Sequence, residues 1–435
     1  MARFPVLNSA IAFTREDTML QRIKERMLCV GTMAASALIT CGIALAQPGP
    51  TPFVKLASPD IHPDSTVTFR FSAPQASEVT LNGSWTGARN IKMTKDDAGV
   101  WTATVGPLPA QLFGFWYMVD GVKALDPNDS ETQRDGTRID NLLLIPGSAD
   151  DLWTFKDVPH GTVEQVWYPS PTLNQNQRRM YVYLPPDYMK NKTARYPVLY
   201  LLHGGGGDED AWTTMGRAPT IMDNLIAAGK AVPMIVVMPN GNAKQTVSQG
   251  FGLGSTPAPQ QVNAPAPPPI QAAGAAAGAA PGGMPAGFKP PPPAPYEGSY
   301  PQSLVKDIIP FVEANYRVIP DQDHRAIAGL SMGAGHTVMI TDNNPGVFAY
   351  IGVFSGGIRN MDDATEKQLE ALSKSGVKFY WTGAGDADMA RNGTVALHDE
   401  LVKQGFKTSY TEIPGVHYWF LWRPFLTDFA SLAFR

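Results

Sequence analysis

The chain has 435 residues, of which 43% are apolar, and a formal net charge of −4. Its length suggests two or three domains. No large basic or acidic block is present, which argues against nucleic acid as the main partner. Both cysteines, Cys29 and Cys41, lie near the N-terminus. The rest of the chain therefore has no residue for a disulfide, a thiolate nucleophile or a cysteine-ligated metal.

Residues 1–46 have the pattern of a signal peptide. A basic stretch, QRIKER, is followed by an apolar run, and the small residues ALA precede Gln47. We expect cleavage near Ala46 and a periplasmic or secreted protein without membrane association. A single membrane anchor is the alternative, and Met19 and Met27 are alternative starts.

Residues 50–148 have the pattern of an all-β domain. Gly, Pro, Asn and Asp separate short runs rich in β-branched and aromatic residues, at the spacing typical of a sandwich. The runs are STVTFRFSA, EVTLNG, VWTATVG, FGFWYMVDG and IDNLLLIPG. We predict an immunoglobulin-like β-sandwich over this range and a linker over residues 149–160.

Strand-like and helical segments alternate from residue 161 to residue 435. Apolar strands such as YPVLYLLHG, MIVVMPNG and HRAIAGLS alternate with helical stretches such as APTIMDNLIAAGK and PQSLVKDIIPFVEANYR. This alternation predicts a mostly parallel sheet that is covered by helices on both faces. The fold class is therefore α/β, preceded by the all-β sandwich.

One segment, at about residues 254–298, breaks this alternation. It holds 13 of the chain's 39 prolines, and its centre is rich in Gly and Ala. Such a composition buries too little apolar surface to offset the entropy lost on ordering. The segment follows a strand and precedes a helix, so we predict a disordered insertion within the α/β domain. A linker between domains is the alternative, but the sheet needs strands from both sides.

The strongest motif is AIAGLSMGAGHT, at residues 326–337. An apolar strand runs into Gly329-Leu330-Ser331-Met332-Gly333 and then into a helical stretch, which is the context of the nucleophile elbow of α/β-hydrolases. The two glycines allow the strained turn and the close approach of the helix. We predict that Ser331 is a nucleophile, with a chance tight turn as the alternative.

A nucleophilic serine needs a histidine base and an acid that orients the base, in the chain order Ser, acid, His. His336 falls on the helix after the elbow, and His398 falls on an amphipathic helix, so we expect packing or surface roles for them. His417 lies in a loop after the last strand and is the predicted base. The sequence GAGDAD then offers Asp386 and Asp388 as the acid, and their spacing leaves both open.

The oxyanion hole needs backbone N–H groups that point at the developing negative charge. One is predicted from Met332, the residue after the nucleophile, and another from the glycine-rich loop YLLHGGGGDEDAW. That loop lacks the lysine and hydroxyl residue of a phosphate-binding loop. His203 with nearby aspartates, and the GAGDAD pair, lack the spacing of a catalytic zinc site. We therefore predict no metal and no cofactor.

These motifs together resemble the esterase D-like α/β-hydrolases. This group includes the feruloyl and acetyl xylan esterases of carbohydrate esterase family 1, and the likeness covers residues 160–435 apart from the insertion. It implies a Ser-Asp-His triad that acts through an acyl-enzyme. Ser331 and His417 match the family's nucleophile and histidine. Gly205, after His203-Gly204, matches the second oxyanion donor. The register measured from the following helix places the acid at Asp388.

The β domain resembles the early-set, family 48 carbohydrate-binding modules. The matching features are LNGSWTG, MVDG, LDP and IDNLLLI. Trp85 matches a stacking tryptophan of the sugar-binding surface, and Trp116 lies nearby in the pattern. Lys123 stands where the glucan-binding members have an aromatic residue. The resemblance implies either a carbohydrate-binding face or a structural module that packs on the esterase.

The resemblance implies a secreted esterase that acts on feruloyl or acetyl groups of plant polysaccharide or oligosaccharide. Trp212, Tyr418 and Trp419 adjoin the catalytic loops and are predicted, with His203 and Gly204, to contact substrate. Ordinary core packing is the alternative for each aromatic residue. Alternative functions are siderophore trilactone hydrolysis, acyl transfer between sugars, and carbohydrate binding by an inactive hydrolase domain.

Overall fold

The computed structural model describes residues 55–147, 152–244, 295–357 and 362–435. The predicted signal peptide lies outside these residues, as does most of the predicted insertion. The insertion was expected to end near residue 298, but residues 295–298 form a turn in which the Tyr296 hydroxyl accepts a hydrogen bond from Asn344 (2.6 Å). Within the described ranges, no helix is both long and apolar enough to cross a bilayer.

The N-terminal part of the described chain, residues 55–147, is a β-sandwich, as predicted. Its four-stranded sheet has the order β1-β2-β6-β5, and its second sheet has the order β4-β3-β7-β10-β9, with β8 paired to β7. The strands are β1 (Asp60–Ile61), β2 (Val67–Ser72), β3 (Val79–Gly83), β4 (Ile91–Lys92), β5 (Thr94–Lys95), β6 (Val100–Val105), β7 (Gln111–Val119), β8 (Val122–Ala124), β9 (Thr132–Asp135) and β10 (Arg138–Ile145).

The core of the sandwich follows from strand alternation. On β7, Phe113, Phe115 and Tyr117 point into the core, whereas Trp116 between them is half-buried on the opposite face. Phe115 packs edge-on against Phe69 of the facing sheet, with ring centroids 5.0 Å apart. A single apolar cluster thus holds the two sheets together.

Trp85 belongs to this core, so its prediction as a sugar-stacking residue is wrong. It is 6% exposed and stacks on Phe69 at 5.8 Å, with Phe113 edge-on at 5.9 Å. Its ring folds back over Gly83, where a Cβ would lie 2.1 Å from the ring. The absent side chain at Gly83 lets Trp85 turn inward, and its ring faces are not available to a sugar.

The α/β part of the chain is built on one eight-stranded sheet, which confirms the predicted fold class. The strand order is β11-β12-β14-β13-β15-β16-β17-β18, parallel from β14 to β18 and antiparallel for β11 and β12. The strands are β11 (Thr162–Ser170), β12 (Gln175–Leu184), β13 (Val198–Leu202), β14 (Ile235–Pro239), β15 (Arg325–Leu330), β16 (Tyr350–Phe354), β17 (Phe379–Gly385) and β18 (Thr408–Ile413).

Helices cover both faces of this sheet and bury an apolar cluster on each side. The α-helices are α1 (Ala218–Ala227), α2 (Tyr300–Ser303), α3 (Ile309–Asn315), α4 (Met332–Asn343), α5 (Asp363–Ser373), α6 (Arg391–Lys403) and α7 (Trp419–Leu432). A π-helical segment, Leu304–Ile308, joins α2 to α3, and 3-10 turns occupy Pro171–Leu173 and Gln322–His324. The central parallel strands are buried throughout, which explains their unbroken apolar sequences.

The sandwich and the α/β domain pack closely on each other, and the described residues from Leu56 onwards belong to one compact unit. Phe420 of α7 meets Phe113 edge-on, with ring centroids 5.5 Å apart. Arg423, 1% exposed, donates hydrogen bonds to the Met215 carbonyl (2.9 Å) and to Gln111 Oε1 (3.3 Å). Burial lowers the pKa of Arg423 to about 9. The interface therefore encloses a guanidinium whose hydrogen bonds go to neutral oxygens.

Asp342, near the end of α4, allows the burial of this helix in the α/β domain to be tested through the pH dependence of stability. Its Oδ1 is buried without a hydrogen-bond partner among the described residues, and burial raises its pKa to about 7. The unfolded chain loses this proton near pH 4, so the folded state binds more protons between pH 4 and 7 and loses stability as the pH rises through that window. We expect Asp342→Asn to remove this loss and to stabilise the protein at pH 8 by about 2–4 kcal/mol. Urea unfolding at pH 4.5 and pH 8 measures the difference.

The exposed Asp399 on α6 supplies the matched control. Asp399→Asn should leave the free energy of unfolding within about 0.5 kcal/mol of wild type at both pH values. An Asp342→Asn protein whose stability falls with pH as steeply as that of the wild type would contradict the assignment.

Candidate active site

Ser331 lies at a sharp turn between β15 and α4. Its backbone has φ 52° and ψ −112°, which a non-glycine residue adopts only at a cost. The turn is possible because a Cβ on Gly329 would lie 2.3 Å from the Gly333 carbonyl oxygen, so helix and strand meet where neither has a side chain. The Ser331 N–H donates to the Phe354 carbonyl (2.9 Å), which fixes the turn to β16.

Ser331, His417 and Asp388 form a continuous chain of hydrogen bonds at the carboxyl edge of the sheet. His417 Nε2 lies 2.9 Å from Ser331 Oγ, and His417 Nδ1 lies 2.8 Å from Asp388 Oδ1. A carboxylate only accepts, so Nδ1 carries the proton and Nε2 is left to accept from the serine hydroxyl. The structure thus joins the three residues that the sequence singled out, although they follow three different strands.

The carboxylate of Asp388 is enclosed, with none of its side chain exposed. Burial acts to raise its pKa, but the hydrogen bond and charge of His417 outweigh burial and hold the pKa below the usual value. The Ala390 N–H also donates to Oδ1 (2.8 Å). Asp388 therefore stays ionised at neutral pH, as a residue that orients an imidazole must.

Asp386, the other acid of the GAGDAD sequence, is exposed and bonds elsewhere. Its Oδ1 accepts a hydrogen bond from the Gly415 N–H (2.8 Å). This contact joins the loop after β17 to the loop that carries His417. Asp386 thus stabilises a turn, whereas the hydrogen bond to the histidine belongs to Asp388.

The loop after β13 passes directly beside Ser331. A Cβ on Gly204 would lie 3.4 Å from the Ser331 Cβ and 2.5 Å from Leu330 Cδ1, so a larger residue here would displace the Leu330 side chain. Gly205 is exposed and open around its Cα, and Gly206 has φ +82°. On the other side of Ser331, Met332 begins α4, where the first N–H groups of a helix have no intrahelical acceptor. The two predicted oxyanion donors therefore flank the serine.

Comparison with known proteins agrees with this geometry. The family model Esterase, described as "Putative esterase", matches residues 170–268 and 274–431, which is more than half of the chain.

The chain belongs to this esterase family.

Curated relatives extend the comparison to most of the chain. The chain is 30% identical over 383 residues to an "Endo-1,4-beta-xylanase/feruloyl esterase" of Xylanibacter ruminicola, covering 87% of this chain and 46% of the relative. It is also 30% identical over 175 residues to an esterase of Mycobacterium tuberculosis, covering 40% of this chain and 28% of the relative. The chain thus spans less than half the length of both relatives.

A solved structure shares the combined fold. The enterobactin esterase FES of Shigella flexneri, determined in the presence of enterobactin, superposes with a TM-score of 0.55 at 16% sequence identity. The superposition covers 84% of this chain and 92% of that chain. The superposed 84% of the chain is a larger part than the α/β domain alone, so the likeness in fold extends into the sandwich.

His203 is not placed to contact substrate, contrary to its prediction. It is 2% exposed, its Nε2 accepts a hydrogen bond from the Gly241 N–H (2.8 Å), and its Nδ1 lies 2.7 Å from the Gly204 carbonyl oxygen. Burial lowers its pKa to about 4, so the ring is neutral. Its contacts hold the glycine-rich loop against the loop after β14.

Two of the three aromatic residues predicted to contact substrate are core residues. Trp212 and Trp419 are 1% and 3% exposed and meet edge-on at 5.1 Å, while the Trp212 Nε1–H donates to the Leu202 carbonyl. The prediction is wrong for both, because their rings are enclosed beneath the loops that they support. Tyr418 packs on Phe420 at 4.9 Å and remains partly exposed.

The other two histidines that follow Ser331 in the chain have structural contacts. His336 packs on the Tyr300 ring at 5.1 Å, and burial lowers its pKa to about 4. His398 was expected at the surface but is half-buried, with its Nδ1 3.3 Å from Thr382 Oγ1. The exposed side of α6 therefore does not include this residue.

Sequence reasoning missed Ser355 and Trp422. The Trp422 Nε1–H donates to Ser355 Oγ (2.9 Å), and the Trp422 ring lies edge-on to His417 at 5.1 Å. Ser355 has φ 53°. Its hydroxyl lowers the pKa of Asp388. Asp388 Oδ2 nevertheless has no hydrogen-bond partner of ordinary geometry among the described residues. Both residues thus support the histidine–aspartate pair. They lie in the sequences FSGG (354–357) and YWFLWR (418–423), which carry no signal for this contact.

The described residues contain no cluster of three or more His, Cys, Asp or Glu side chains that could hold a metal ion. Asp208 and Asp210, which were considered as metal ligands, instead pair with Arg134 of the sandwich. These carboxylates therefore have a cationic partner from the protein itself.

Proposed function

We propose that this protein is a secreted serine carboxylesterase that removes feruloyl or acetyl groups from plant polysaccharide or oligosaccharide through an acyl-enzyme. The observation that carries the proposal is the hydrogen-bonded chain from Ser331 through His417 to a buried, ionised Asp388. A nucleophile, a base and an orienting acid in this arrangement are what acyl transfer requires.

The proposed reaction has two steps. Ser331 Oγ attacks the ester carbonyl carbon while His417 Nε2 takes the hydroxyl proton, and the N–H groups of Gly205 and Met332 donate to the oxyanion. The tetrahedral intermediate collapses as the sugar alcohol leaves with the proton from His417. Water then attacks the acyl-enzyme, with His417 again as base, and the free acid is released. Asp388 holds the imidazole tautomer and stabilises its charged form in both steps.

The substrate class is supported by the relative from Xylanibacter ruminicola, whose description combines a xylanase with a feruloyl esterase. Contact between Tyr418 and an acyl group stays a prediction, supported by the partial exposure of this residue, which follows His417 in the chain. The export of the protein is likewise a proposal, supported by the basic and apolar pattern of residues 1–46.

Carbohydrate binding by the sandwich stays a prediction and now depends on Trp116. This half-buried ring has the Arg89 guanidinium 5.2 Å and the Lys123 ammonium 4.9 Å from its centroid. Lys123 also pairs with Asp140 at 2.6 Å. A sugar that stacks on Trp116 would have to share or displace these cations, which favours a charged or strongly hydrogen-bonding glycan.

The proposal is tested by measuring the free acid released from methyl ferulate, acetylated xylan and a siderophore trilactone, together with labelling by a fluorophosphonate. We expect labelling, and release from one of the first two substrates. Preference for the trilactone would replace the substrate class and keep the mechanism. A folded protein that neither reacts with the probe nor hydrolyses any of the three would overturn the esterase proposal and favour an inactive binding protein.

A further inference from the structure

The glycine-rich loop beside Ser331 has little stiffness of its own. Four consecutive glycines, Gly204 to Gly207, connect β13 to Asp208, and Gly206 has a positive φ. One backbone hydrogen bond, from the Gly207 N–H to the Gly204 carbonyl (3.3 Å), closes the turn. Glycine loses more conformational freedom on ordering than any other residue. The position of the Gly205 N–H must therefore be set from the two ends of the turn.

The first end is fixed from within the α/β domain. The His203 side chain bridges the Gly204 carbonyl oxygen and the Gly241 N–H, at 2.7 and 2.8 Å. The Asn242 side chain donates to the Gly207 carbonyl (2.7 Å). These contacts hold the inner side of the turn against the loop after β14.

The second end, which Asn242 contacts at Gly207, is also held by the sandwich. Arg134, in β9, donates from its guanidinium to Asp208 Oδ2, and its Nε lies 3.4 Å from Asp210 Oδ2. The Arg134 backbone N–H donates to Thr214 Oγ1 (2.9 Å), and Thr214 Oγ1 donates in turn to Asp210 Oδ2 (2.9 Å). One residue of the sandwich thus reaches both carboxylates that follow the glycines.

The side chain of Asp208 makes this contact critical. It is completely buried, whereas the Arg134 side chain is 24% exposed. Burial and the neighbouring Glu209 raise the pKa of Asp208 to about 6, and Arg134 opposes that rise. Without the guanidinium, a buried carboxylate would lose its cation and would either take up a proton or move towards water. Either change alters the residue directly after Gly207.

Asp135, which follows Arg134 in β9, also lies against the glycine turn. A Cβ on Gly207 would lie 2.6 Å from Asp135 Oδ1 and 3.0 Å from His203 Nδ1. The sandwich therefore lies against the glycine turn itself, without space for a side chain between them.

We propose that Arg134 is a positioning residue for the oxyanion donor at Gly205, so that the sandwich completes the active site of the α/β domain. Arg134 acts through Asp208 and Asp210 and does not contact the reacting atoms. The proposal rests on the proposed function, because it assigns a purpose to the geometry of an acyl-transfer site. A displacement of about 1 Å at a catalytic group can cost on the order of 100-fold in rate.

The test compares Arg134→Ala, Arg134→Lys, Asp208→Asn and the double variant Arg134→Ala/Asp208→Asn with wild type on p-nitrophenyl acetate. We expect Arg134→Ala to lower kcat by about 10- to 100-fold with little change in KM. Arg134→Lys should recover part of the loss, and the double variant should lose no more than Arg134→Ala alone, since both changes break one contact. Arg70→Ala is the matched control. It removes an ion pair of the same domain, to Asp60, and should leave kcat unchanged.

A boronic acid inhibitor separates positioning from a merely structural role. Its adduct on Ser331 places an oxygen in the oxyanion position, so its affinity should fall by the same factor as kcat/KM while the melting temperature stays near that of Arg70→Ala. Full activity in Arg134→Ala would overturn the proposal. So would a loss of kcat with unchanged boronate affinity, or losses in Arg134→Ala and Asp208→Asn that multiply in the double variant. If the wild type itself neither hydrolyses esters nor binds the boronate, the proposed function fails instead.

Discussion

Replacing Ser331 by alanine is expected to lower kcat on p-nitrophenyl acetate by about 10⁵- to 10⁶-fold. The hydroxyl that His417 activates would be gone, and the remaining N–H groups stabilise charge without a nucleophile to create it. Alanine and serine bear a similar strain at φ 52°, so the turn and the melting temperature should change little. Steady-state kinetics measure the fall in kcat, and fluorophosphonate labelling measures the loss of the nucleophilic hydroxyl.

Ser373→Ala, at the end of α5, is the control for serine removal. Ser373 Oγ bonds only to a carbonyl within its own helix, that of Glu370 (2.9 Å), among the contacts found in the described part of the chain. This variant should keep wild-type kcat and full labelling. A Ser331→Ala protein that still hydrolysed the ester at the wild-type rate would rule out Ser331 as the nucleophile.

The two acids of GAGDAD should respond very differently to amidation. Asp388→Asn is expected to lower kcat by about 10⁴-fold. The new amide can donate to His417 Nδ1, which moves the ring proton to Nε2 and leaves no acceptor for the Ser331 hydroxyl. Asp386→Asn keeps an oxygen that can accept from the Gly415 N–H, so we expect a change of no more than a few-fold.

The pair is its own control, because both variants remove one charge from the same loop. kcat at pH 8 on a single ester is the measurement, and circular dichroism checks that both variants are folded. If Asp386→Asn lost more activity than Asp388→Asn, the acid would have been assigned to the wrong residue.

The placement of the candidate site could be anticipated because it follows from rules that are local in sequence. The strand–turn–helix pattern around Ser331 specifies an elbow. The carboxyl ends of parallel strands share one edge, so the loops after β13, β15, β17 and β18 had to meet there. The chain order of acid and histidine then limits the choice to a few residues. The choice of Asp388 over Asp386 depended on the resemblance to a known family, through the distance to the following helix. The folded loop shows directly which carboxylate faces His417.

The aromatic residues could not be assigned in this way. Trp85, Trp212 and Trp419 lie in loops or at a helix start, where no strand or helix period fixes the direction of a side chain. Whether such a ring points inward depends on distant neighbours, such as Phe69 beside Trp85 or Phe354 beside Trp212. Arg134 was missed for the same reason, since its partners lie more than 70 residues further along the chain.

The buried guanidinium of Arg423 has a consequence for recombination and for engineering. Its acceptors include Gln111 Oε1 and the Leu112 carbonyl, both in β7 of the sandwich. An unrelated binding module joined at the linker would leave this cation without those oxygens and would uncover Phe420. Chimeras that exchange the N-terminal module therefore need matching changes on the face of α7 that carries Phe420 and Arg423. Because each domain covers groups of the other, we expect the gene segments that encode the sandwich and the α/β domain to be inherited together.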